Sequence, residues 1–126
     1  MKTFKYITCV IVTGFIFSCQ KDSNPILSYP KIVNMGTLKQ HQVVSKKVFL
    51  ENNSTSEIHL KKAQASCGCT IPKISDSIIA PNKKTTLSVT FDSGNRLGKI
   101  KKSIVIESNA KPTFSVIHLI ANVEKQ

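Results

Sequence analysis

The chain has 126 residues, of which 40% are hydrophobic and 20% charged. That length houses one compact domain with at most a targeting segment, which excludes a multidomain enzyme, and the ordinary apolar and charged fractions exclude a wholly disordered chain and a polytopic membrane protein. Eighteen Lys and Arg against seven Asp and Glu give a formal charge of +11, an excess that favours anionic partners.

In chain order, Lys2 and Lys5 precede an uncharged run over 7–17, which ends at Ser18-Cys19. A basic start, a short apolar middle and a small residue before cysteine form the layout of a secretory signal peptide over 1–18. A membrane-spanning helix needs ~20 apolar residues, and Gln20-Lys21-Asp22 arrive too early for one. Ile16-Phe17-Ser18-Cys19 resembles a bacterial lipobox, with Phe17 departing from the small or aliphatic residue usual there. The resemblance implies that Cys19 becomes the lipidated first residue of the mature chain. Acyl chains contribute ~0.8 kcal/mol per buried methylene, and more than one chain makes anchoring stable. The expectation is an exported protein of the bacterial cell envelope, lipid-anchored at a periplasmic face or the outer membrane. Loss of 1–18 removes two lysines and lowers the charge from +11 to +9. Cys9 departs with the signal and Cys19 is acylated, so Cys67 and Cys69 alone remain, in an oxidising compartment.

Residues 19–30 contain Pro25 and Pro30, lack periodicity and read as a tether. From Lys31 to Glu124 the pattern is that of strands. Apolar side chains recur at every second position in Val44-x-Lys46-x-Val48-x-Leu50, with Lys46 on the apolar row, and the turn cluster Glu51 to Ser56 follows. Ile58 and Leu60 continue the alternation on what reads as the return strand of a hairpin. Thr85-Leu87-Val89-Phe91, Ile104-Ile106 and Ile117-Leu119-Ala121-Val123 repeat it. Asn82 suits a left-handed turn position before a strand, and Gly94 and Gly98 mark a hairpin between the Phe91 and Ile104 strands. About seven short strands with regularly spaced turns predict an all-β fold, an antiparallel immunoglobulin-like β-sandwich.

Val48-Phe49-Leu50-Glu51-Asn52, Ser66-Cys67-Gly68-Cys69-Thr70-Ile71-Pro72, Pro81-Asn82, Phe91-Asp92, Gly98-Lys99 and Ile106-Glu107-Ser108-Asn109 together resemble the bacterial family called domain of unknown function fifteen seventy-three. Ser-Cys-Gly-Cys-Thr is the most specific element, and Asn82 stands where the family usually has glycine. The resemblance covers 31–124 and implies an immunoglobulin-like, Hydin-like module on exported proteins and lipoproteins, with no established biochemical role.

In an extended segment Cys67 and Cys69 point to one face, which leaves three chemistries open. The pair forms a tight, easily reduced disulfide. Alternatively it offers two thiolates to a soft ion such as Cu(I), or to zinc with further donors, for which His41, His59, His118 and Met35 are the obvious sources. Or it is small apolar filling where a strand crosses the sandwich, with Gly68 permitting close backbone approach. His59 and His118 alternate with inward-facing apolar residues and are expected at the surface. The pairs Lys46-Lys47, Lys61-Lys62, Lys83-Lys84 and Lys101-Lys102 serve as charged edges that discourage aggregation, or as contacts to an anionic lipid surface.

No catalytic motif is visible, and no aromatic stacking set accompanies the charge, so neither an enzyme nor a nucleic-acid binder is expected. The sequence therefore supports a lipid-anchored, non-enzymatic binding or structural module for an unidentified envelope protein or anionic lipid surface, without a cofactor. The alternative is a thiol protein that uses Cys67 and Cys69 for soft-metal binding or disulfide exchange.

Overall fold

Strict alternation decides the architecture. Along Lys84–Asp92 the odd residues Leu87, Val89 and Phe91 are fully buried, while Thr86, Ser88 and Thr90 stay half-exposed. One face of such a strand must meet a second layer. The computed structural model describes residues 24–126; the signal peptide over 1–18 and the lipidation site Cys19 lie outside the described residues.

Among the described residues nine strands form two sheets: β1 (Leu27–Ser28), β2 (Ile32–Lys39), β3 (Val43–Asn52), β4 (Ile58–Ala65), β5 (Thr70–Ile74), β6 (Ile78–Ile79), β7 (Lys84–Asp92), β8 (Gly98–Ser108) and β9 (Phe114–Glu124). One sheet runs β1-β3-β7-β5 and the other β2-β9-β8-β4-β6. Between them lie Leu50, Ile58, Ile79, Leu87, Val89, Phe91, Ile104, Ile106, Ile117 and Leu119, each at most 1% exposed. The immunoglobulin-like sandwich read from the sequence is thus present.

Several details differ from the sequence reading. The two strands beyond the expected seven are the two-residue β1 and β6, too short to alternate visibly. β1 falls among residues whose prolines suggested a tether, and Leu27 packs into the core. The four-stranded sheet is antiparallel throughout, but the five-stranded sheet is mixed, because β2 pairs with β9 in parallel. The hairpins expected from β3 to β4 and from β7 to β8 are instead crossings, since each pair divides between the two sheets. A turn that returns to the opposite sheet ~10 Å away leaves the same alternation and the same turn residues as one that returns beside its partner. Asn82 takes φ 58°, as expected, and Gly94 and Gly98 also have positive φ.

Candidate functional site

Two features of the described residues stand out chemically, and both are set by how the sheets end. The first is the edge of β3. A sheet edge is a row of unpaired N–H and C=O groups, which proteins ordinarily interrupt or cover. The edge strand β5 contains Pro72, which has no N–H to offer. β6 is two residues long and covers β4 only at Ile58 and His59, and the remainder of β4 is interrupted by a register shift between Leu60 and Lys62. β2 breaks register between Asn34 and Thr37, where Gly36 has positive φ and donates its N–H to Asn34 Oδ1. β3 has no such break. β1 covers only Glu51 and Asn52, while the β3 ladder to β7 runs without a register shift from Val43 to Glu51.

The alternation of antiparallel hydrogen bonds fixes which groups face outward. Asn52 N–H bonds Lys83 C=O and Ser93 N–H bonds Gln42 C=O, so even-numbered β3 residues bond β7. The N–H and C=O of Ser45, Lys47 and Phe49 therefore point away from β7, along the stretch that no other described strand covers. Beside them, Phe49 is half exposed, with Lys84 Nζ 4.3 Å from its ring centroid, and Lys46 Nζ reaches across to Asn34 C=O on β2. Of the lysine pairs, Lys46-Lys47 thus lies on this edge, whereas Lys61-Lys62 sits at a register shift in β4 and both side chains face solvent.

The second feature is the corner between β4 and β5, where the chain passes from one sheet to the other. Ser66 N–H bonds Ser103 C=O on one side, and Cys69 C=O accepts from Asp92 N–H on the other. Between these ties Cys67 and Cys69 form a disulfide, with Cα atoms 5.3 Å apart. Both residues are half-buried, but only Cys69 packs against the core. Thr70 Oγ1 lies 3.9 Å from Cys67 Sγ and 3.8 Å from Cys69 Sγ. Disulfide sulfurs carry no proton, so the threonine hydroxyl is the donor.

Of the three chemistries open for this pair, the disulfide is the one present; the small-apolar-filler reading is replaced by a covalent link. In the chain-entropy treatment a loop of about three residues stabilises by only ~1.5 kcal/mol, against ~3 for a 15-residue loop. Gly68 corrects a second expectation: its φ is ordinary, and a Cβ built there meets nothing within 4 Å. This chain's own packing therefore does not require a glycine. Gly68→Ala is expected to leave Tm within a few degrees of the parent in a thermal melt, because no contact is strained.

The remaining sequence candidates lie apart in role. Met35 is buried in the core, in simple alternation with Val33 on β2, and its thioether serves packing. His59 is exposed beside Glu57, 3.5 Å away. His118 is half-buried on the outer face, its Nδ1 3.1 Å from Ser103 Oγ. His41 takes φ 60° in the β2–β3 turn. Among the described residues no group of three or more His, Cys, Asp and Glu is arranged to hold a metal ion, and a soft ion on Cys67 and Cys69 would require the reduced pair.

Residues 29–123 match the family described as "Protein of unknown function (DUF1573)". The chain belongs to this family. No curated protein sequence matches the chain. Among solved structures, a protein of unknown function from Porphyromonas gingivalis W83 aligns with TM-score 0.69 at 15% identity, over 78% of this chain and 46% of that one. PapD-like domain 7 of human CEP192 aligns with TM-score 0.62 at 14% identity, over 91% of this chain and 96% of that one. The CsuC–CsuE chaperone–tip adhesion subunit pre-assembly complex of Acinetobacter baumannii aligns with TM-score 0.55 at 12% identity, over 81% of this chain and 53% of that one. The chain spans less than half of the Porphyromonas chain. At these identities the likeness is one of fold, immunoglobulin-like and PapD-like.

Proposed function

We propose that this DUF1573 domain is a lipid-anchored, non-enzymatic binding module of the bacterial cell envelope that captures an extended segment of an envelope protein by adding it as a strand to β3. One observation carries the reading: β3 is the one edge strand among those described that is long, regular and uncovered. Strand addition draws affinity from main-chain hydrogen bonds and specificity from alternate side chains. Here the outward groups of Ser45, Lys47 and Phe49 would supply the hydrogen bonds. Lys46 and Lys47 favour a segment carrying Asp or Glu, and exposed Phe49 offers an apolar contact. The lipobox-like Ile16 to Cys19 supports acylation at Cys19, which would keep the domain against a membrane.

Lys47→Pro tests this directly. The Lys47 N–H faces outward, so proline removes an edge donor while the β7 ladder keeps its bonds. With a photocrosslinker at Ser45 in intact cells, the parent is expected to yield a discrete crosslinked partner that Lys47→Pro loses, while far-ultraviolet circular dichroism stays unchanged. Equal crosslinking by a folded Lys47→Pro variant would refute the edge as the binding surface. Intact mass of the isolated protein is expected to show acyl adducts on a chain that begins at Cys19.

A further inference from the structure

The Cys67–Cys69 disulfide contributes little to holding the fold, since the two residues are already neighbours and the corner is tied to both sheets by Ser66 and Cys69 backbone bonds. Gly68, between them, has neither the φ nor the crowding that would demand glycine and is exposed to solvent. An open glycine beside a half-buried disulfide is what an approaching molecule needs in order to bring a sulfur within bonding distance. We infer that this corner is a thiol–disulfide exchange site whose substrate is a dithiol protein of the same compartment. The inference rests on the proposed export of the chain and is independent of binding at β3.

The two sulfurs have different roles. Cys69 packs against the core while Cys67 does not, so a partner thiolate attacks Cys67 Sγ, forming a bond to it and breaking the Cys67–Cys69 bond. Cys69 leaves as a thiolate beside the Thr70 hydroxyl, which is positioned to donate to it. The partner's second thiolate then attacks its own sulfur in the mixed disulfide and releases Cys67. Two electrons pass to the pair, the partner becomes a disulfide, and the two protons from its thiols end on Cys67 and Cys69. In reverse, reduced Cys67 is the nucleophile and Cys69 the resolving thiol.

The test uses the purified mature protein, with dithiothreitol and reduced thioredoxin as probes and alkylation read by intact mass. As isolated, the folded protein is expected to take no label, and after either probe, two. With oxidised glutathione, Cys69→Ser, which keeps Cys67, is expected to accumulate a stable mixed disulfide. Cys67→Ser should do so roughly tenfold or more slowly, because its remaining thiol is packed inside. Gly68→Leu should slow reduction by thioredoxin while leaving that by dithiothreitol unchanged, because only the larger probe must press on the corner. The proposal is overturned if the native protein resists both probes until denatured, if it takes two labels as isolated, or if the serine variants react equally. Should a serine variant not fold, the labelling of the wild type and of Gly68→Leu decides. Failure here would leave the β3 crosslinking result untouched, and the reverse also holds.

Discussion

Phe91→Ala is expected to cost about 3–5 kcal/mol, the range for truncating a large aromatic side chain in a packed core. Phe91 is fully buried and sits opposite Val44 of β3 on one side and Thr70 of β5 on the other. Truncation therefore opens a cavity between the sheets near the Asp92 end of β7, beside Val44 on the β3 edge strand and the residue that follows the disulfide. In a domain of this size each kcal/mol moves Tm by about 4–8 °C, so a thermal melt should show a loss of at least ~12 °C. Total stability of such domains is about 5–15 kcal/mol, and a variant near the lower bound would be largely unfolded at 37 °C. A loss under ~1 kcal/mol would mean that Phe91 is not in the core.

Asn52→Ala is expected to do nearly as much damage through polar rather than apolar loss. Asn52 is fully buried. Its Nδ2 donates to Ser56 C=O at 2.7 Å and to Ile79 C=O at 2.9 Å, and its Oδ1 accepts from Ser54 N–H at 3.0 Å and from the Ser54 hydroxyl. One side chain thereby fixes the whole β3–β4 crossing and ties the end of β3 to β6 in the other sheet. Alanine strips Ile79 C=O and Ser54 N–H of their side-chain partner, each at a cost of about 1–3 kcal/mol where buried, while Ser56 C=O still accepts from the Ser54 hydroxyl. Denaturant unfolding should show a fall of ~3 kcal/mol or more with little change in m-value. Asn52→Asp separates the contributions: the Oδ1 acceptor survives, but both Nδ2 bonds are lost and a carboxylate is buried beside carbonyls. It should be no better than alanine at neutral pH. An Asn52→Asp variant as stable as the parent would contradict the assigned bonds.

How much of this was legible depends on what each residue's neighbours in sequence disclose. The strands of the core announce themselves, because Leu87, Val89 and Phe91 recur with the period of the pleat and tertiary packing agrees with it. Asn82 announced its left-handed turn through the chemistry of the dipeptide Pro81-Asn82. Which sheet a strand joins is another matter: Glu51 to Ser56 reads identically for a hairpin and for a crossing, and only long-range packing distinguishes them. Asn52 looked like one more turn residue for the same reason, since its role is set by Ile79 C=O, distant in sequence. Lys46 stood on an apolar row and is explained by Asn34 C=O on the facing sheet.

The candidate site was half visible. Cys67 and Cys69 were singled out by type and spacing, but the roles of the two sulfurs depend on which one meets the core. The open side of Gly68 depends on what is absent around it, which no local pattern encodes. The β3 edge was invisible as an edge, because a strand's neighbours are a property of topology rather than of its own residues. In β5, by contrast, Pro72 declares its edge position in the sequence itself.

Residue-resolved amide hydrogen exchange on the protein without a partner tests the central claim most directly. If β3 presents an uncovered edge, the amides of Ser45, Lys47 and Phe49 exchange quickly, while those of Val44, Lys46 and Val48, bonded to β7, are slower by roughly a thousandfold or more. Uniform protection from Val44 to Phe49 would show that something already covers this strand, and the binding surface proposed for it would not exist.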